Sequence, residues 1–187
     1  MKRTLLALTL SAAAISAQAS DINYNYVQGN YGEIDIDGAK LDGFGIEGSY
    51  KFNDNFYGFA GYDKFDKNGA SLSESNLGFG YAKSISDKTD WISELSFVRN
   101  SVDIGFGNFS DNGYRVATGL RGMVSDKVEL NGKVSYTDVG DFGNGFGAGV
   151  GAVFHVNDSF GLTAGYDYAD RDSTDFNGWN VGARLSF

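Results

Sequence analysis

Read back from Phe187, the chain alternates. Phe187, Leu185, Ala183, Val181 and Trp179 fall on one side of an extended backbone, and Ser186, Arg184, Gly182 and Asn180 on the other. A period of two with one apolar side predicts a β-strand. The same rhythm recurs through the chain around four short polar turns, Asn53-Asp54-Asn55, Ser86-Asp87-Lys88, Ser125-Asp126-Lys127 and Asn157-Asp158-Ser159. Phe44, Ile46, Tyr50 and Phe52 precede the first, and Tyr57 and Phe59 follow it. Leu77, Phe79 and Tyr81 precede the second; Trp91, Leu95 and Phe97 follow. Tyr114 to Val124 and Val128 to Tyr136 flank the third, and Phe146 to Val156 and Phe160 to Tyr168 flank the fourth. Asx/Ser turns between alternating runs are hairpin signals.

Longer polar stretches separate these hairpins and read as loops: 33–42, 66–74, 100–112, 138–145 and 169–177. An opening strand near 22–31 and a closing strand at 179–187 bring the count to ten. In the opening strand Ile22, Tyr24 and Tyr26 alternate while Tyr31 falls out of phase, so a bulge or an early end is expected there. Loss of that hairpin would leave eight strands. Either number is even, as transmembrane barrels of bacterial outer membranes have.

Alternation does not say which face is inside. The polar face carries mostly small residues, among them Gly45, Ser49, Gly58, Ala60, Gly78, Gly80, Gly149 and Gly165. A solvated outer face would carry long charged side chains, whereas small residues suit the inside of a narrow barrel. The apolar face has aromatics at both strand ends and aliphatics between. Tyr50, Phe52, Tyr57, Tyr81, Trp91, Phe154, Phe160 and Phe187 lie toward the short turns. Phe44, Phe97, Tyr114, Tyr136, Phe146, Tyr166, Tyr168 and Trp179 lie toward the long loops. Two aromatic girdles around an apolar belt match the two interfaces of a bilayer. The reading is an all-β, closed, antiparallel up-and-down transmembrane barrel whose apolar face meets lipid.

The N-terminus agrees. Lys2 and Arg3, an apolar run from Leu5 to Ile15 and Ala17-Gln18-Ala19 form the pattern of a secretory signal peptide. Cleavage after Ala19 would leave a single barrel domain over 20–187 and, with two cations removed, take the formal charge from −9 to −11. This acidity excludes nucleic acid as a partner, which requires basic patches. Absent cysteine removes disulfides and thiol chemistry.

The signal peptide, the alternation of short turns with long loops and the terminal Leu185-Ser186-Phe187 resemble the small outer-membrane barrels grouped with OmpX and the OmpA membrane domain. Within that group, "YNYVQGNYG" followed by "GFGIEGSYKFNDNFYGFAGYDK" is similar to short barrels described as regulated by diffusible signal factors. The resemblance implies a monomer in the cell outer membrane, in contact with its lipid and lipopolysaccharide. The terminal strand resembles the signal that the outer-membrane assembly machinery reads, which would make Phe187 an assembly tag as well as a girdle residue.

Candidate chemistry is sparse. The single histidine, His155, lies two residues before a short turn and points inward by parity, which suits a wall residue better than a base. Glu33, Asp35 and Asp37 before Gly38 echo a calcium loop, but Phe44 occupies the position that needs a bidentate glutamate. Gly143-x-Gly145-x-Gly147 precedes strand instead of helix and is no nucleotide loop. Neither catalytic, cofactor nor metal residues are assigned. Inward parity collects Glu47, Lys51, Glu94, Arg121, Glu129, Lys133 and Arg184. Arg121 and Glu129 are expected diagonally across neighbouring strands, Glu94 opposite Gly80, and Glu47 opposite Ala60. Mixed charges in so narrow a bore predict a self-satisfied network and a largely closed lumen. Function then falls to loops bearing Phe106, Phe109, Phe142 and Phe176, for adhesion, lipopolysaccharide or partner contact. A narrow porin-like channel is the alternative, and an outer-membrane enzyme the weakest reading.

Overall fold

The computed structural model describes residues 22–105, 107–172 and 174–187; Phe106 and the expected signal peptide lie outside them. Ten antiparallel strands close into one barrel in the order β1-β10-β9-β8-β7-β6-β5-β4-β3-β2. They are β1 (Tyr26–Ile36), β2 (Ala39–Lys51), β3 (Phe56–Lys67), β4 (Ala70–Ser86) and β5 (Thr89–Asp103). β6 (Asn108–Ser125), β7 (Val128–Asp138), β8 (Asn144–Asn157), β9 (Phe160–Arg171) and β10 (Thr174–Ser186) complete it. The ring closes where Tyr26 pairs with Ser186 and Ile36 with Phe176. Closure leaves no open edge, so the ladder satisfies backbone groups that lipid cannot. Among the described residues no helix is long and apolar enough to cross a membrane; strands do so.

The four short turns lie at the end that holds the termini. Each ties itself to the next hairpin: the carbonyls of Asn55, Lys88, Lys127 and Ser159 accept N–H groups of Ala82, Met123, His155 and Ser186 at 2.7–2.9 Å. The ladder's register shifts fall beside three of these bonds, at 84/86, 123/125 and 155/157. The sequence repeat is therefore a structural repeat.

At the far end, strand continues through most of the five stretches read as loops. β1 and β2 join through Asp37-Gly38 (φ 50° and 89°), and β3 and β4 through Asn68-Gly69 (φ 50° and 83°). Both central residues are left-handed, the backbone of a type I′ hairpin turn, for which Asp-Gly and Asn-Gly are favoured. The longer links are 104–107 and 139–143, the latter with a single 3-10 turn at Gly140–Phe142. Polar strand, not loop, thus rises past the apolar belt: beyond Tyr31, Phe44, Phe97 and Tyr114 the outward residues are of the type of Glu33, Asp42, Arg99 and Asn112.

Two strands depart from the expected pattern. β1 begins at Tyr26 and runs to Ile36 without a register shift in either pairing, so the bulge is not there. Tyr24 and Tyr26 are buried and Tyr31 is exposed; both faces of this segment carry aromatics, which mimics a slip in phase. In β3 the faces are exchanged. Tyr57, 4% exposed, and Phe59 point inward, and Phe56 takes the girdle position. Gly58 and Ala60 consequently face out, and Glu47 registers with Gly61 instead of Ala60. Tyr57 is drawn in because its ring packs on Tyr24, with centroids 4.7 Å apart. The remaining girdle aromatics stand on the lipid side as expected, with rows such as Tyr114–Tyr136–Phe146 at 6.4 and 5.2 Å.

The small lumen residues turn out to be seats. Gly80 registers with Tyr57, Gly78 with Phe59, Gly61 with Asn76 and Gly119 with Lys133. A Cβ on Gly80 would fall 2.0 Å from Tyr57 Cζ, whereas one on lipid-facing Gly48 would meet only Tyr26 O at 3.9 Å. Tyr57 cannot yield, since Tyr24 lies against it. Gly80→Ala is therefore expected to lose about 1–3 kcal/mol by overpacking and Gly48→Ala to be near neutral. Urea titration of refolded protein in micelles, read by Trp fluorescence, checks both; equal midpoints would show that Gly80 is no seat.

Candidate functional site

Near the terminal end the lumen is crossed by a layer centred on Glu129. Its side chain is 1% exposed and those of Arg121 and Arg184 are 7%. Arg121 donates Nε and Nη2 to the carboxylate at 2.6 and 3.1 Å, and Arg184 Nη1 donates at 3.4 Å. Register places Glu129 beside Met123 and Arg121 beside Asn131, the expected diagonal. The guanidiniums also stack on tyrosines, Arg121 4.5 Å from the Tyr24 ring centre and Arg184 3.9 Å from that of Tyr26. His155 does point inward, as parity predicts, with Nε2 3.4 Å from Glu129. A buried carboxylate is tolerated only with charged partners and well-aimed donors, and this one has them.

Residues 22–25 finish the layer. Ile22 and Tyr24 enter a buried cluster with Tyr57, Ala82, Ile92 and Met123. The segment is fastened on several sides. Arg121 Nη2 donates to Asn23 O at 2.8 Å, the Lys51 N–H to Asn25 Oδ1 at 2.7 Å, and the Phe187 N–H to Asn25 O at 3.1 Å. Tyr24 Oη donates to Asp90 at 2.9 Å, and Asp90 also accepts from Ser84 Oγ at 2.7 Å. Period-two alternation predicts strand here, but β1 begins only at Tyr26. These residues are instead a stopper whose one tyrosine hydroxyl, that of Tyr24, donates to Asp90.

Above this floor a cavity of about 510 Å³ runs to the far-end hairpins. Glu94, opposite Gly80 as expected, accepts from Lys133 Nζ at 3.0 Å and Tyr57 Oη at 2.8 Å, and Glu47 accepts from Tyr26 Oη. Lys51 lies 5.5 Å from the Tyr24 ring centre. Higher up, Arg115 Nη2 donates to both oxygens of Glu74 at 2.8 and 2.9 Å, and Arg171 stands 3.9 Å from the same carboxylate. Glu74, Arg171 and Asp167 belong to the lumen; the first two fall in stretches whose polarity predicts loop, but strand extends through them. Asp63 is there because β3 is reversed. Phe142 and Phe176 line the cavity mouth instead of facing outward; Phe109 alone of the described loop aromatics is displayed, 61% exposed. Among the described residues no three His, Cys, Asp or Glu side chains converge as a metal site.

This geometry is that of a membrane barrel with a polar, partly filled bore. The chain belongs to the outer-membrane β-barrel proteins: residues 5–187 match the family pattern of the outer membrane protein beta-barrel domain. Its place is the cell outer membrane. Among solved structures it is similar to the NanC porin, at 10% identity over 85% of this chain and 100% of that one, with a TM-score of 0.52. Neisserial surface protein A follows at 16% identity, 87% and 96% coverage and TM-score 0.45. Ail, the attachment invasion locus protein of Yersinia pestis, gives 14%, 87% and 95%, and 0.40. At such identities the likeness concerns the fold alone. The comparison with curated proteins gives no match.

Removing one partner from a buried ion cluster strands the others. Glu129→Ala is expected to cost about 3–5 kcal/mol, and Glu129→Gln less, since the amide oxygen still accepts. Fraction folded by heat-modified gel mobility, with urea midpoints, checks this. An Ala variant as stable as the parent would remove Glu129 as the centre of the floor.

Proposed function

We propose that the protein is a closed interaction barrel and not a solute channel. The observation that carries this reading is the floor: Tyr24, Arg121, Glu129 and Arg184 with the Ile22 cluster beneath, all buried, and fastened to β1, β2, β5, β6, β7 and β10. Parting them for a solute would separate Glu129 from the two guanidiniums that neutralise it, which is costly. His155 stands half-buried beside Glu129 and is not among the residues lining the cavity. This supports the reading that it serves the wall and that the barrel is not an enzyme.

With the termini on the periplasmic side, the polar strand extensions project outward. They carry Asp35, Asp42, Asp103, Asp170 and Asp175 and the exposed Ile104 and Phe109. These tips are the surfaces available for adhesion, lipopolysaccharide or partner contact. The hairpins brace one another: Asp37 N–H donates to Asp175 O and Asp175 N–H to Asp37 Oδ1, both at 3.1 Å. The protein acts as a monomer, anchored by the lipid-facing belt.

Refolded protein in planar bilayers is expected to give no stable conductance. Reproducible ion-selective steps would overturn the closed reading in favour of a narrow porin-like channel.

Phe187 stands 68% exposed on the lipid face, beside the ring-closing pairing of β1 and β10. As the tag read by the assembly machinery, its replacement in Phe187→Asp should lower outer-membrane insertion several-fold while export continues. Cell fractionation decides. Insertion at the parental level would leave the ring as a girdle residue only.

A further inference from the structure

We infer that the outer flank of β3 to β6, just beyond the apolar belt, holds the phosphate of an outer-leaflet lipid headgroup, that of lipopolysaccharide, through Arg99 and Lys64. The other described arginines are committed inside the lumen: Arg115 and Arg171 stand against Glu74, and Arg121 and Arg184 against Glu129. Arg99 is exposed and does not line the chamber. Among the described residues its guanidinium meets no carboxylate; Nη2 donates to Ser110 Oγ at 3.0 Å.

Register fixes its surroundings. Tyr62, Ser75, Arg99 and Asn112 form one row across β3, β4, β5 and β6, and Lys64, Ser73, Ser101 and Ser110 form the next row out. The row on the membrane side is Ala60, Leu77, Phe97 and Tyr114, in which the last three are exposed to lipid. A strand rises about 3.4 Å per residue, so Arg99 stands about 7 Å along its strand from Phe97. Girdle aromatics lie at the level of the headgroups, and the two polar rows therefore begin there.

This sector differs from the rest of the rim. Its two rows carry cations, hydroxyls and an amide, and no acid. Elsewhere the outward residues past the girdle are acids that register with one another, Glu33 with Asp42 and Asp170 with Asp175. A chain of formal charge −9 thus keeps one basic, hydroxyl-rich flank on an acidic ring. Lys64 does approach Asp66, at 3.4 Å in the row beyond, but the two side chains are 37% and 54% exposed. Such a pair is worth little and leaves the ammonium available.

The chemistry is that of phosphate recognition. A guanidinium forks onto phosphate oxygens, an ammonium adds a point charge, and hydroxyls supply further donors. The strands of Lys64 and Arg99 are about 10 Å apart, with Ser73 and Ser75 of β4 between them, a span that two long side chains close over one phosphate group. Acyl chains of the same lipid would lie on Leu77, Phe97 and Tyr114 directly below. The inference names the lipid partner of the outward surfaces proposed above. It rests on that reading for its orientation, with the tips outside, and not on the closed floor.

Native mass spectrometry of refolded protein in zwitterionic detergent, titrated with lipid A carrying both phosphates, is the test. Saturable retention is expected, with apparent affinity about tenfold lower in Lys64→Gln/Arg99→Gln, since each cation at a membrane surface counts several-fold. Both side chains make their contacts outside the bore, so that variant should remain heat-modifiable. Asp138→Asn/Asp170→Asn, which alters charge on β7 and β9, should bind as the parent does. Lipid A stripped of its phosphates should not be retained, and excess inorganic phosphate should not displace the intact lipid. No retention, equal retention of the stripped lipid, undiminished retention by the cation variant, a gain in the acid variant as large as the cation variant's loss, or displacement by free phosphate would each overturn the proposal. Conductance on the same preparations separates the two readings. Steps from protein that retains lipid A would sink the closed floor and uphold the flank site, while a silent barrel that retains none would do the reverse.

Discussion

The bore of a ten-stranded barrel cannot hold a large side chain at every inward position, and the lumen of this protein is organised by that limit. Barrels of eight strands have interiors that side chains just fill, and two more strands add little width. The answer here is an exchange across the ladder: where one strand sends a large group inward, its neighbour supplies glycine. Tyr57 over Gly80, Phe59 over Gly78, Asn76 over Gly61 and Lys133 over Gly119 follow one rule. An alanine at Gly80, Gly78 or Gly61 would reach into the ring or amide that fills the space, and one at Gly119 would meet the backbone of Gly132 and Lys133.

The same rule positions the charges. Lys133 and Asp167 register with the same glycine, Gly149, from either side. Long side chains lie along the wall and reach partners two or more strands away, as Lys133 of β7 reaches Glu94 of β5. Size pairing is therefore prior to charge pairing. Glu129 is the opposite case. It sits where Met123, Val153 and Tyr24 leave no glycine-made space, and it is buried so fully that its two guanidiniums and their tyrosines become one unit.

Much of this fold was legible because the bilayer enforces a period of two on every spanning strand. Ten strands, the four short turns, the lumen parity of Arg121, Glu129, Lys133 and Arg184, and the lipid face ending at Phe187 all follow from it. β3 was misread for a physical reason. Alternation separates two faces without naming them, and Tyr57 and Phe59 look like lipid aromatics until Tyr24 is known to stack inside. The far hairpins were misread for a different reason. Their strands become polar on both faces once past the belt, so the apolar signal vanishes while the ladder continues. Asp37-Gly38 and Asn68-Gly69, each a recognised type I′ pair, were the signals that could have found them. For residues 22–25 the pattern predicts strand, and their role as a stopper is not in it, since their contacts to Arg121, Asp90 and Phe187 come from strands distant in the chain.

Extending strand instead of loop above the belt has a further consequence. Inward positions beyond the membrane remain ordered wall, which is why Glu74, Arg115 and Arg171 form a second ionic tier near the mouth. The lumen is thus charged at both ends of its depth, but the two tiers differ. The lower one is sealed by tyrosine rings and by a segment of chain pressed in from the terminus. The upper one surrounds open space, with Phe176 under Arg171 at 5.4 Å marking the rim. A channel would need the lower tier to yield. The bonds of Asn23, Tyr24 and Asn25 to four different strands or their ends fasten the lower tier; the proposed blind chamber needs only that tier to hold.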